Sequence, residues 1–379
     1  MLKKTIYADN AATTKLNTAA FEAMVPWLTD DYGNASQPYS FARSAKKALA
    51  DARAIIARCI NASPEEIYFT SGGTESDNWA IKGSAFVDPQ KRVTITSAIE
   101  HHAVLRSCEA IERLGHPVSY LDVTTKGVVT PAALQSIITD KTRLVSVMYV
   151  NNEIGTIQPI KELAEIAHNY GALFHTDAVQ AVGHIPVDVQ ALGVDMLSAS
   201  AHKFNGPKGV GFLYIRKGVR IGRFADGGAQ EHGSRGGTEN IAGVVGMAVA
   251  LEIACALIDS ELDRLAGLRA LLIDKLVQEK FDFVVNGGDI VYPGTLSLSF
   301  CHSSGEKILH RLDLQGIYVS TGSACDSVST QISHVIRAIN VPDDYSEGTI
   351  RVSFGRNNTA EDVDAIVTAL KKILGRIDI

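Results

Sequence analysis

Between residues 40 and 215 the chain alternates stretches of helical periodicity with short β-rich runs. That rhythm constrains the fold more than any other feature. The predicted strands are Ile67–Thr70, Val93–Ser97, Val118–Leu121, Leu144–Val150, Leu173–Asp177, Met196–Ser200 and Gly211–Ile215. The predicted helices include Ser40–Cys59, Ala103–Leu114, Pro131–Ile138 and Ile160–Tyr170. Such alternation predicts an α/β fold around a mostly parallel sheet. Ligands in these sheets bind beyond the carboxyl ends of the strands, so the residues that follow each run are where chemistry is sought. Past residue 255 the pattern changes. A charged amphipathic helix over Glu261–Glu279 is followed by Thr295–Phe300, which alternates like a half-exposed strand. A helix (Gly305–Leu312), two more strands (Tyr318–Ser320 and Thr349–Phe354) and a final helix (Ala360–Gly375) complete what reads as a smaller α+β domain.

Two consecutive strand ends carry complementary groups. His175-Thr176-Asp177-Ala178-Val179-Gln180 closes one run, and Ser198-Ala199-Ser200-Ala201-His202-Lys203 closes the next. Side by side, these strands would set an acid, an amide, a hydroxyl and a lysine at one sheet edge. That set suits pyridoxal 5′-phosphate (PLP). Lys203 bonds its aldehyde, Asp177 keeps the pyridine nitrogen protonated, and a hydroxyl and an imidazole reach the phosphate. The competing reading is a surface lysine that merely follows a strand.

Other strand ends extend the picture. Ser71-Gly72-Gly73-Thr74-Glu75-Ser76-Asp77-Asn78 opens a helix. It is either an ordinary capped glycine turn or a cradle of N–H groups for the cofactor phosphate, and it lacks the Gly-Lys-Ser/Thr ending of a nucleotide loop. In Glu100-His101-His102 the adjacent imidazoles point in different directions and no third ligand accompanies them. An imidazole stacked on a planar cofactor is therefore favoured over a metal site, and no metal is expected. Asn151 and Asn152 cap a turn or donate to substrate or to the ring oxygen of the cofactor. The glycine-rich stretch 227–240 is a connection or a site wall, whose Arg235 and hydroxyl groups suit a phosphate. Arg351 alternates with apolar neighbours and either forks onto a substrate carboxylate or forms a surface ion pair.

Composition removes other classes. A net charge of −6 leaves no basic footprint for nucleic acid. The N-terminus has no apolar run of the signal-peptide kind. Ile241–Ile258 is apolar except for Glu252 and reads as a helix buried between domains or subunits rather than a membrane span. The five cysteines are odd in number and widely spaced, which fits a reducing, cytoplasmic setting. Cys59, Cys108, Cys255 and Cys301 sit in apolar or helical context and read as packing residues. Cys325, within Ser320-Thr321-Gly322-Ser323-Ala324-Cys325-Asp326-Ser327, sits in small, polar, loop-like sequence where a thiol is expected to be exposed and mobile. Reactivity requires its thiolate, which Asp326 is expected to disfavour if it stays close, and the competing reading is an unreactive loop cysteine.

Together these segments resemble the cysteine desulfurases of the NifS/IscS type, in the class V branch of PLP-dependent transferases. The likeness runs from Tyr7-Ala8-Asp9-Asn10-Ala11-Ala12-Thr13-Thr14 to the final helix. It implies PLP-dependent transferase fold type I, with a large PLP-binding domain over residues 15–255 built on a seven-stranded, mostly parallel sheet. A small domain would come from both chain ends, residues 1–14 and 256–379, and the sites would lie at the interface of a homodimer. By resemblance, Lys203 carries the cofactor, Asp177 pairs with its ring nitrogen, Gln180 contacts its ring hydroxyl, and His101 stacks on the ring as a catalytic group. Gly73, Thr74, Ser200 and His202 hold the phosphate, joined by Thr238 of the other subunit. Asn152 and Arg351 position the substrate carboxylate, and Cys325 is the nucleophile.

The activity so implied converts L-cysteine to L-alanine. The sulfur passes to Cys325 as a persulfide and on to an acceptor protein for iron–sulfur assembly or tRNA thiolation. The sequence also departs from the pattern. His232 and Tyr39 stand where relatives often have Arg and His, Gly73 replaces a common Ala, and Asp326 follows the nucleophile where Ser or Thr is frequent. The chain ends at Ile379, without the longer tail that helps housekeeping relatives dock the iron–sulfur scaffold, so the acceptor stays open. Two alternatives remain. One is another class V PLP reaction, aminotransfer or selenocysteine lysis; the other is a non-catalytic sulfur-transfer partner. Lys203, Asp177 and His101, all intact, argue against the second.

Overall fold

The computed structural model describes residues 5–322 and 332–375. A short strand, β1 (Ile6–Tyr7), precedes the seven that build the main sheet: β2 (Ile67–Thr70), β3 (Val93–Ser97), β4 (Val118–Leu121), β5 (Thr142–Ser146), β6 (Leu173–Asp177), β7 (Met196–Ser200) and β8 (Gly211–Ile215). Their order is β2-β8-β7-β6-β5-β3-β4. Strands β3 to β7 pair in parallel. Only β8 is reversed, antiparallel to both β2 and β7. The connection from β7 to β8 is too short for the helical crossover that a parallel neighbour needs. The all-α/β expectation thus holds, and the seven predicted strands are the seven of this sheet.

The strands read as apolar or small throughout because helices cover both faces. Successive residues go to opposite sides. Leu144, Met196 and Leu213 face the helices Gly73–Ala85 and His102–Arg113, packing with Trp79, Ile81, Val104 and Ile111. Val145, Leu197 and Phe212 join the other core with Leu163 and Ala167 of the helix Ile160–Asn169. Phe174 and Phe212 are fully buried in that layer, each contributing about 1.5–3 kcal/mol. Every parallel strand consequently presents its carboxyl end at one edge.

Four further strands follow: β9 (Phe283–Asn286), β10 (Thr295–Phe300), β11 (Ile317–Tyr318) and β12 (Thr349–Ser353). The order β12-β10-β9 makes an antiparallel sheet, and β11 pairs in parallel with β1. The N-terminal arm is sewn to this region: Ile6 N donates to Gly316 O at 2.9 Å, and Ser353 N donates to Ala8 O at 2.7 Å. One expectation fails here. Thr295–Phe300 is buried along its whole length, not half-exposed. It is the middle strand, and Asn286 Nδ2 donates to Ser297 Oγ at 3.0 Å and Ser299 Oγ at 2.8 Å, so its polar side chains are satisfied without water.

The apolar helix Ile241–Ala256 packs against the helices Thr18–Thr29 and Arg43–Cys59. It bends by 69° into Ile258–Gln278. Among the described residues no single helix is long and apolar enough to cross a membrane.

Candidate active site

A cavity of about 550 Å³ opens at the carboxyl edge of the main sheet. Its lining comes from the ends of β2, β3, β5, β6 and β7, from the N-terminal arm and from β12. Gly73, Thr74, His101, Asn152, Asp177, Gln180, Ser200, His202, Lys203 and Arg351 all border it. Ten of the residues expected from the sequence therefore meet in one place. Cys325 lies outside the described residues, as does Asp326. Thr238 is elsewhere in this chain, beside a smaller cavity of about 150 Å³ lined also by Gln230, Glu239 and Asn240. Arg235 does not face the main cavity, because Glu75 holds its Nε at 2.9 Å.

Local sequence explains each placement. Lys203 ends a 3-10 turn directly after β7, and its Nζ donates to Ala11 O at 2.6 Å and Ala12 O at 2.9 Å. The N-terminal arm thus holds the amine. Gln180 Nε2 donates to the same Ala11 O at 2.9 Å. Asp177 closes β6, and its Oδ1 accepts from Val179 N at 2.9 Å. His101 is the N-cap of the helix His102–Arg113, and its Nδ1 accepts from Ala103 N at 3.1 Å. The capping bond fixes the tautomer, so the proton of the neutral ring sits on Nε2.

Gly72 and Gly73 open the helix Gly73–Ala85. Gly72 has φ +149°, a conformation for glycine, and a Cβ on Gly73 would lie 2.6 Å from Val179 Cγ2. The glycine that departs from the common alanine is thus matched to Val179. Arg351 is 6% exposed, and its guanidinium donates to Asn152 O at 3.0 Å and Asp9 Oδ1 at 2.7 Å. Its Nε is buried without a partner.

Sequence reasoning missed several lining groups. Asp77 lies one turn beyond Gly73 and faces the same cavity; the i, i+4 spacing was the available signal. Lys208 and the Ala11–Thr13 backbone had no local signal. Asn151 and Asn152 separate cleanly. Asn151 is buried, donating to Ile99 O at 2.9 Å and accepting from Glu153 N at 2.9 Å, so it shapes the turn while Asn152 reaches the cavity.

Burial dominates the electrostatics. It pulls His101 down to about 4, helped by Lys203 and His102. It pulls His175 down to about 3, and His184 and His202 down to about 4. It pushes Asp177 up to about 6 against the Val179 N–H and Lys203, and Glu100 up to about 8. Neutral imidazoles mean that the folded chain binds fewer protons than the unfolded one below about pH 6.5, so stability rises with pH there. Raised carboxyls, Asp77 among them, act the other way, and above that pH the buried acid Glu100 still titrates. The cofactor-free protein is expected to be most stable near pH 6.5, roughly the unfolded histidine value. Thermal unfolding from pH 4 to 9 checks this, and a Tm that keeps climbing through pH 8 would count against it.

The family model for aminotransferase class-V matches residues 6–366. The chain belongs to the class-V aminotransferase family. The protein named cysteine desulfurase IscS from Dictyoglomus turgidum is 48% identical over 99% of this chain and 96% of its own length. That of Methanosarcina thermophila is 47% identical over 99% and 93%. Among solved structures, a NifS-like protein superposes with a TM-score of 0.93 at 38% identity, covering 98% of this chain and all of the other. SspA, solved in complex with cysteine, has a TM-score of 0.82 at 35% identity over 92% and 99%.

Class-V enzymes are PLP-dependent, and the residues of this cavity fit that group. A lysine amine, a buried carboxylate and an imidazole with a fixed tautomer converge on it. Beside them, two glycines open a helix whose free N–H groups suit a phosphate, with Ser200, His202 and Lys208 nearby. The guanidinium of Arg351 borders the same cavity.

Proposed function

We propose that this class-V chain is a PLP-dependent cysteine desulfurase that turns L-cysteine into L-alanine and moves the sulfur to Cys325 as a persulfide. The observation that carries the reading is the convergence of Lys203, Asp177, His101 and Arg351 on one cavity, in a chain 48% identical to a protein named cysteine desulfurase. When bound, PLP supplies an electron sink for the α-carbon of the substrate.

The chain's own groups do the rest. Lys203 Nζ, released from the arm carbonyls, holds the cofactor and later moves the α-proton. Asp177 keeps a proton on the ring nitrogen by offering a buried negative charge. Neutral His101 would cover the ring face, with its Nε2 proton available. Gly73, Thr74, Ser200 and His202 would hold the phosphate, and Gln180 the ring hydroxyl. Arg351 and Asn152 orient the substrate carboxylate. The Cys325 thiolate attacks the substrate sulfur. An S–S bond forms as the C–S bond breaks, and the electron pair left on carbon is protonated on the way to alanine. With L-cysteine, equal amounts of alanine and persulfide sulfur are expected; pyruvate, or an amino group transferred to a keto acid, would instead favour another class-V reaction.

A homodimer belongs to the same proposal. Phe21, Val25 and Leu28 form one exposed stripe on the helix Thr18–Thr29, continued by Tyr32, Tyr39 and Phe41, with Leu28 64% and Tyr32 71% exposed. A second copy covering this face would let its Thr238 complete the phosphate site. Leu28→Glu with Tyr32→Glu is expected to give a monomer by light scattering that retains PLP poorly. A variant that stays dimeric would remove the support. The same reading assigns residues 15–255 to the large domain and residues 1–14 and 256–379 to the small one, which limited proteolysis tests. It also assigns a cytoplasmic sulfur acceptor from iron–sulfur assembly or tRNA thiolation. Capture of an acceptor by the persulfidated protein tests that part, and transfer to small thiols alone would remove it.

A further inference from the structure

No step above uses Asp77, yet it is 1% exposed, more deeply buried than Asp177 at 5%. Helix geometry turns it toward β6 and β7. Its Oδ1 has no hydrogen-bond partner and lies 3.7 Å from His175 Nε2, beyond hydrogen-bonding reach. Single ligating atoms of Asp77, His101 and Asp177 fall within 4.8 Å of one another. His175 is not a counter-cation, because full burial pulls it down to about 3; its Nδ1 meets Ser146 Oγ at 2.8 Å and its Nε2 meets Ser198 Oγ at 3.0 Å. The other charged groups facing Asp77 are Asp177 and Glu100, both acidic, and the Ser198 hydroxyl is its polar neighbour.

Two carboxylates this close, and shielded from water, do not both ionise. The structure also says which one keeps the proton. Asp177 Oδ1 receives the Val179 N–H, and Lys203 lies near enough to favour its charge. Asp77 Oδ1 has no hydrogen-bond partner, and the Ser198 hydroxyl alone favours its charge, with no cation beside it to match Lys203.

We propose that Asp77 is a positioning residue that holds a carboxyl proton against Asp177, so that the pair meets the cofactor's ring nitrogen with one negative charge, carried by Asp177. This rests on the reading that Asp177 faces that nitrogen. The shift of Asp77 well above the usual carboxyl range, through burial and the Asp177 charge, is in keeping with it. A doubly charged pair would over-neutralise a singly charged ring, whereas one neutral acid fixes the Asp177 carboxylate without competing for it.

The test is infrared difference spectroscopy of the holoenzyme at about pH 8, above any ordinary carboxyl value, wild type against Asp77→Asn. The difference is expected to contain a carboxylic-acid C=O band. The variant should hold PLP within about threefold of wild type, because a neutral amide replaces a neutral acid. Asp77→Ala, without a hydrogen-bonding group, should weaken PLP about tenfold. A carboxylate band in the difference, with PLP affinity in Asp77→Asn falling more than about tenfold, would overturn the proposal. If Asp77→Asn does not fold, carbon-13 spectra of wild-type holoenzyme labelled in its aspartate carboxyls decide: one aspartate stays protonated at about pH 8, or none does. Asp177→Asn separates the parent reading. Unchanged PLP affinity and absorbance in that variant would remove the ring-nitrogen role of Asp177, whatever Asp77 does.

Discussion

Lys203→Ala is expected to bind PLP without a covalent link and to lose turnover of L-cysteine by about 10⁴-fold, the upper range for a group that is both anchor and proton carrier. Of the two amines among the described residues that line the main cavity, Lys203 and Lys208, it is Lys203 that directly follows β7 and lies near Asp177. Its two donations to Ala11 O and Ala12 O place it against the N-terminal arm. Removing it deletes the anchor and the proton carrier together but leaves the phosphate and ring contacts of other residues. Borohydride reduction followed by mass measurement reads the first loss, and alanine formation the second. Lys203→Arg should fail as well, since a guanidinium keeps its proton at neutral pH. A Lys203→Ala protein that still forms alanine at more than a trace would overturn the assignment of the lysine.

Cys325→Ala is expected to show the opposite pattern. PLP stays bound with its normal absorbance, while sulfur release from L-cysteine falls by about 10³-fold for want of the nucleophile. The contrast matters because Lys203 marks only a PLP site, whereas Cys325 distinguishes desulfuration from aminotransfer. Cys325 lies outside the described residues, so this prediction stands on sequence and likeness alone. Sulfide assay with a reducing thiol, next to persulfide labelling of the protein, measures it. Unimpaired release would make Cys325 incidental and return the chain to the wider class-V chemistries.

Much of the site was legible because each group follows a strand end. Local periodicity locates strands, and a parallel sheet brings their carboxyl ends to one edge, so Ser71–Thr74, His101, Asn152, Asp177 and Ser200–Lys203 were found without tertiary knowledge. Local reading also misled. Thr295–Phe300 looked half-exposed because its serines alternate with apolar residues, but Asn286 from the neighbouring strand satisfies them in the core. Arg235 looked available to a phosphate, but Glu75 takes it.

The sequence by itself determined the order of elements, the sheet class and the chemical identity of the groups at the strand ends, since these depend on residue type and short-range spacing. Tertiary structure alone decided which groups touch. Asp9 meets Arg351 across a separation of 342 residues, Lys203 is held by carbonyls 191 and 192 residues away, and Asp77 comes to rest against Asp177. Strand register, helix packing and the seam between the N-terminal arm and β12 set those distances, and no local pattern encodes them. In the same way, only the packed helix of Gly73–Ala85 brings the acid at position 77 within 4.8 Å of the one at 177.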